Sequence, residues 1–198
     1  MITETNDLIR CFGNGDPLYE RYHDEEWGHE VRGDAALFER MVLEGFQSGL
    51  SWLTILRKRE AFRGAFAGFE PGAVAEFDHS DVERLMEDAE IVRNRRKIES
   101  AIVNAQAVVA LQAAGRSLDD VVWSHQPPLR TGAPATWEDV PASTPESAAL
   151  AKELKSLGFV FVGPTTMYAL MQACGLVDDH VAGCIAASNT PPRQRDGG

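Results

Sequence analysis

Two pairs of potential metal ligands stand at opposite ends of the chain: Cys11 and His23 near its start, His180 and Cys184 near its finish. In a helix, the spacing of His180 and Cys184 puts both side chains on one face. Two thiolates and two imidazoles make a tetrahedral zinc set. One shared ion would tie together the ends of a 198-residue chain, and every segment between would have to pack inside that closure. Taken singly, each pair reads as readily as ordinary core or surface chemistry, so the constraint gains weight from its surroundings.

Cysteine usage is compatible with that role. Cys11, Cys174 and Cys184 are an odd number and show no disulfide framework, which points to a reducing cytoplasm where thiols pack cores or hold metals. No apolar run approaches the roughly 18 residues that cross a bilayer. The start, MITETNDLIRCFGNGD, lacks the basic and apolar stretches of a signal peptide. A cytoplasmic monomer with no membrane partner is therefore expected. The net charge of −11 argues against whole-surface nucleic-acid binding. Basic residues nevertheless cluster at Arg57, Lys58, Arg59 and Arg63, and at Arg93, Arg95, Arg96 and Lys97. Each cluster fits either a solvated helix face or a local positive face for phosphates.

Helical periodicity dominates, and few segments alternate with period two. Helices are expected over 34–46 with Asp34 as N-cap, 51–62 capped by Ser51, a short one from Pro71, about 81–88, 94–114, 118–123, 145–157 and 165–174. Residues 124–143 are rich in Pro, Gly, Thr and Ser and read as a loop. The expectation is an all-α fold of about eight or more helices. Residues 11–187 would form one helical domain, with two lobes an option, flanked by a flexible stretch over 1–10 and a disordered tail over 188–198.

Residues 154–175, LKSLGFVFVGPTTMYALMQACG, read as helix, tight turn, helix. Gly158 closes the first helix, Gly163-Pro164 marks the turn, and Thr165 can cap the second. Such a turn points free N–H groups outward at a helix start, where a phosphate oxygen is received without a lysine. Gly163, Thr165 and Thr166 are the candidate contacts. An ordinary helical hairpin would carry the same signals.

Three further stretches, DPLYERYHDEEWG (16–28), LEGFQSGLSW (43–52) and EIVRNRRKI (90–98), join Cys11, His23 and the terminal DHVAGC (179–184). In this order they resemble the 3-methyladenine DNA glycosylase I family over about residues 11–184, and residues 154–175 resemble the helix-hairpin-helix element of the wider glycosylase superfamily. The resemblance implies excision of 3-methyladenine from alkylated double-stranded DNA, with one structural zinc on Cys11, His23, His180 and Cys184. Glu44 matches the carboxylate that hydrogen-bonds the base, Tyr22 and Trp52 the rings that sandwich it, and Trp27 another pocket wall. Glu44 is also the one catalytic candidate, with its part in activating water left open. Lyase enzymes of the superfamily place a lysine after the second hairpin glycine; here Pro164, Thr165 and Thr166 stand there, so a monofunctional enzyme is implied.

The chemistry is coherent on its own terms. A flipped base is read by stacking and edge hydrogen bonds, and the cationic lesion favours electron-rich rings and a carboxylate over solvent. Leu50, between Gly49 and Ser51, is a candidate wedge for the vacated stack. Phe12 departs from the family's tryptophan but keeps an apolar wall, and Glu90 departs from a glycine. Asp178 and Asp179 are not assigned a catalytic role. A non-catalytic zinc-stapled DNA-binding module, or a glycosylase of shifted lesion specificity, are the alternatives.

Overall fold

A computed structural model of the chain describes residues 9–13, 15–128, 130 and 132–187. Residues 1–8 and 188–198, expected to be flexible, lie outside the described residues. The described part is all-helical, with no strand. Its helices are α1 (Pro17–Glu25), α2 (Asp34–Gln47), α3 (Trp52–Ala65), α4 (Pro71–Ala75), α5 (His79–Glu87), α6 (Arg95–Ala113), α7 (Leu118–Trp123), α8 (Pro145–Ser156) and α9 (Pro164–Ala173). Short 3-10 turns add Ala67–Phe69 and Trp137–Asp139.

Helix starts follow the chemistry of their caps. Ser51, Asp78, Asn94, Ser117 and Thr144 each accept a backbone N–H of the first turn, which satisfies donors that would otherwise be orphaned. Two caps differ from expectation. Gly33 caps α2, and Asp34 instead binds outward, accepting from Gln112 Nε2 at 2.8 Å and from the Asp119 amide at 3.0 Å. Gly163 caps α9 with no side-chain bond from Thr165, and Pro164 fills the first helical position. Helix α1 lies inside a stretch whose polar residues mask its periodicity; Asp16 caps it and Pro17 opens it.

Helix α2 is the spine. Leu37, Phe38 and the run Met41–Phe46 are buried, and the helix packs on α3, α6, α7 and α9. Beside it, Phe38, Phe46, Phe62, Phe66 and Phe69 form one aromatic cluster, with Phe66 and Phe69 stacked 5.6 Å apart. That stack sits on a tight turn in which Ala67 and Phe69 take left-handed backbone angles (φ 50° and 59°), a cost the buried rings offset. Lys97, itself buried, donates to the carbonyls of Phe46 and Ser48 at 2.8 and 2.6 Å. It thereby caps the end of α2 that leads into Gly49 and Leu50.

Helices α8 and α9 pack on each other through a short turn. Asn104 of α6 pins that turn: its Oδ1 accepts from the Val160 amide at 2.8 Å and its Nδ2 donates to the Val160 carbonyl at 3.1 Å. Phe161 follows with φ 57° and is 39% exposed. Glu90, the residue in place of the family's glycine, has no left-handed backbone angle, and Lys58 Nζ holds the carbonyls of Ala89 and Glu90. Among the described residues, no helix is long and apolar enough to cross a membrane.

Replacing Asn104 with Ala strips both partners from one backbone residue. The expected loss is about 2 kcal/mol of unfolding free energy, read by urea denaturation, with faster amide exchange at Val160.

Candidate active site

Ten residues from five segments enclose a cavity of about 130 Å³: Phe12, Tyr19, Tyr22, Trp27, Glu44, Gln47, Trp52, Trp137, Ala169 and Gln172. Helix α1 supplies Tyr19 and Tyr22 one turn apart, α2 supplies Glu44 and Gln47 one turn apart, and α3 opens on Trp52. Every base-binding residue expected from the sequence (Phe12, Tyr22, Trp27, Glu44 and Trp52) lies in this one lining. Tyr19, Gln47, Ala169 and Gln172 were missed, although i,i+3 spacing from Tyr22 and Glu44 would have found the first two. Trp137 comes from the loop over 124–143, where no periodicity signals it.

The cavity holds polar groups without partners. Glu44 is buried and makes no hydrogen bond or ion pair among the described residues. Burial pushes its carboxyl up to about 8, against a smaller downward pull from the Arg40 guanidinium. The indole Nε1 of Trp52 is likewise buried with no acceptor. Buried orphans of this kind are rare in native proteins and call for a ligand or solvent partner. Tyr22 and Trp52 lie 5.4 Å apart, tilted by 45°. That is closer than the roughly 7 Å that a base stacked between two rings requires, twice the base-stacking spacing. The two rings therefore meet at one corner of the cavity, and a base between them would have to part them.

Charge is held tightly behind this wall. Glu26 accepts from Arg59 and Arg40; burial alone would raise its carboxyl, but the two guanidiniums drive it down to about 2. The basic clusters noted in the sequence are largely committed in the same way. Arg57 pairs with Asp16, Arg63 with Glu39 and Glu60, and Arg95 with Glu83. Arg96 lies over the Phe161 ring, and Arg93 has no ion-pair partner among the described residues.

Cys11 and His23 meet Cys184 beside the cavity. Ligand atoms of Cys11, His23 and Cys184 lie within 4.8 Å of one another. His23 Nε2 is 3.3 Å from Cys184 Sγ, and the Val181 amide donates to Cys11 Sγ at 3.3 Å. His180 stands outside that tight trio, its ring 5.2 Å from that of His23, and its buried Nε2 has no partner. Both imidazoles are oriented by carboxylates: His23 Nδ1 lies 2.8 Å from Asp24 Oδ1 and His180 Nδ1 2.8 Å from Asp178 Oδ1. Each Nδ1 is thus held by a carboxylate, the usual arrangement around a metal; His180 Nε2 is unpartnered, whereas His23 Nε2 accepts from the Cys11 amide at 3.2 Å and lies against Cys184 Sγ. Burial pushes the Cys11 thiol up to about 12, so a thiolate there needs a cation beside it.

The ligand cluster and the cavity share their walls. Phe12 meets His23 edge-on at 4.9 Å, and Trp27 meets His180 at 4.6 Å. Gly28 (φ 82°) is required at this junction, since a Cβ would come within 2.7 Å of the His180 ring. Leu50, the expected wedge, is 41% exposed on the turn after α2. Thr165 and Thr166 are the first residues of α9 with free amides, because Pro164 has none and Met167 N already bonds Gly163 O. Away from the site, His29 and His79 are exposed, whereas His125 is largely covered and bonds Glu153 at 2.8 Å.

Comparison with known proteins follows the same lines. A family model described as methyladenine glycosylase matches residues 12–187. DNA-3-methyladenine glycosylase 1 of Escherichia coli is 48% identical over 189 residues, 93% of this chain and 100% of that protein. A crystal structure of 3-methyladenine DNA glycosylase I superposes with a TM-score of 0.85 at 48% identity, covering 89% of this chain and 98% of that one. The Staphylococcus aureus enzyme, solved for its recognition of 3-methyladenine, gives 0.85 at 36% identity over 91% of this chain and 97% of its own. With its whole helical body matched and its cavity lined by the residues above, the chain belongs to the methyladenine glycosylase family.

Proposed function

We propose that this chain is a monofunctional DNA-repair glycosylase that flips 3-methyladenine out of alkylated duplex DNA and hydrolyses its N-glycosidic bond. The observation that carries the reading is a buried carboxylate, Glu44, without a partner in an aromatic cavity. A non-catalytic DNA-binding module has no use for so costly an arrangement. The relatives named above act on or bind 3-methyladenine, which supports the same substrate here.

In this mechanism the lesion enters against Tyr22 and Trp52, which rotate apart to receive it, and Phe12 and Trp27 close the far wall. Glu44 accepts hydrogen bonds from the edge of the purine. The lesion carries a positive charge, so the carboxylate and the ring faces favour it over neutral adenine. As the glycosidic bond breaks, its electron pair goes to the base, which leaves neutral, and the positive charge passes to an oxocarbenium-like sugar that water captures with loss of a proton. The base is a good leaving group, so strong acid catalysis is not required. Leu50 fills the vacated stack, while the free amides of Thr165 and Thr166, at the start of α9 beside Gly163, receive a backbone phosphate. The protein works as a cytoplasmic monomer on double-stranded DNA.

A single structural zinc fits the ligand cluster: Cys11, His23 and Cys184 converge, and His180 completes the set by a small ring movement, which supplies the partner its buried Nε2 lacks. Four protein ligands leave no open position, so the ion would supply a cross-link and no Lewis acid chemistry. Its effect on the pocket would pass through the Phe12–His23 and Trp27–His180 contacts.

Two outcomes are expected. Glu44 has a folded value of about 8 against an ordinary 4.5, so between these pH values unfolding releases a proton and wild-type stability falls as pH rises. Glu44→Gln should therefore match wild type below about pH 4.5 and exceed it by on the order of 4 kcal/mol at about pH 8, while lesion excision drops at least a hundredfold; unchanged excision would remove Glu44 from the site. Cys184→Ala should abolish stoichiometric zinc by atomic emission and lower Tm by more than about 10 °C; full zinc content with unchanged melting would rule out the cross-link.

A further inference from the structure

Below the cavity lies a second buried carboxylate to which no role attaches. Asp179 is 1% exposed. Its Oδ2 accepts from Tyr168 Oη at 2.5 Å and from Gln172 Nε2 at 2.9 Å, and its Oδ1 faces Arg130 Nη1 at 2.8 Å. Tyr168 and Gln172 both donate to this carboxylate, while its Oδ1 has the Arg130 ion pair but no hydrogen bond. Burial and the bond to Asp179 push the Tyr168 hydroxyl well above its ordinary value, which keeps it a donor.

That arrangement decides which way an amide points. An ionised carboxylate only accepts hydrogen bonds, so Gln172 must turn its Nε2 to Asp179. Its Oε1 then sits on the other branch of the amide, and among the described residues nothing donates to it. Gln172 also lines the base cavity, on the α9 side, facing the aromatic and Glu44 walls contributed by α1 to α3. A free amide would rotate and offer either an acceptor or a donor to the cavity; one anchored on an anion offers a fixed polarity.

We propose that Gln172 is a second reader of the flipped base, its carbonyl oxygen accepting from the exocyclic amine or a ring N–H of the purine, and that Asp179 is the positioning residue that fixes this orientation. The inference rests on the cavity being the base pocket and adds a specificity element to it. Two acceptors in one lining, Glu44 and Gln172, suit a purine edge rich in donors. A rotated amide would set an N–H against that edge and against the positive charge of the lesion.

The test measures binding of free 3-methyladenine by tryptophan fluorescence for wild type, Gln172→Leu, Asp179→Asn and the double variant, with Tm and zinc content as controls. Gln172→Leu should weaken binding about tenfold, the worth of one buried hydrogen bond, with a Tm lowered by the lost bond to Asp179 but unchanged zinc content. Asp179→Asn should weaken it several-fold, because an amide partner lets Gln172 turn over. The double variant should bind no worse than Gln172→Leu, since Asp179 acts only through that side chain. Wild-type affinity in Gln172→Leu overturns the proposal, and this variant decides alone if Asp179→Asn does not fold. A double variant that multiplies the two losses overturns the role of Asp179. Failure of the wild-type protein itself to bind 3-methyladenine would instead sink the pocket, and this inference with it.

Discussion

Helix α2 has to bury a carboxylate in the middle of the protein, and the rest of the architecture answers to that demand. Its apolar run from Met41 to Phe46 anchors the helix among α3, α6, α7 and α9, and Glu44 is carried inward as part of that run. Removing a charge from water is expensive. The protein does not offset the cost with a dedicated partner, as it does at Glu26, where two guanidiniums converge. It leaves Glu44 poised, with its protonation set by burial and by whatever occupies the cavity. Lys97 secures the end of the same helix, and the phenylalanine cluster backs it, so the carboxylate stands on a rigid support.

Much of this was legible from the residues. Periodicity located eight of the nine helices among the described residues, and Ser51 caps α3 as expected. The motifs also named five of the ten residues that line the cavity. What was not legible depends on tertiary placement. Helix α1 was hidden because its polar face carries Glu20, Asp24 and Glu25 while only two of its residues are buried. Asp34 looked like a cap, yet its oxygens are claimed by Gln112 and Asp119, residues 78 and 85 positions away. Trp137 reaches the cavity from a loop whose composition signals only turns. The sandwich expected of Tyr22 and Trp52 is a tilted contact, a distinction that no spacing rule contains.

The junction between cavity and ligand cluster shows why the ends of the chain matter to its middle. Gly175 (φ 76°) brings the end of α9 so close to residues 28–30 that a Cβ would meet backbone atoms at 2.8–2.9 Å. Val31 N bonds Cys174 O across the same seam. The stretch after α1, with Trp27 in it, is thus clamped between α9 and the imidazole of His180. Arg10 adds a bidentate grip on Asp24, which in turn orients His23. The Phe12 and Trp27 wall of the cavity inherits its position from these contacts, so that side is preorganised while the Tyr22–Trp52 side is closed by their ring contact.

The internal pairing of the basic side chains has a consequence for salt dependence. Arg57, Arg59, Arg63 and Arg95 are already paired with carboxylates of the chain itself, whose net charge is −11. Such pairing leaves these side chains few counterions to release, so a polyanion bound through them would be held with little dependence on ionic strength.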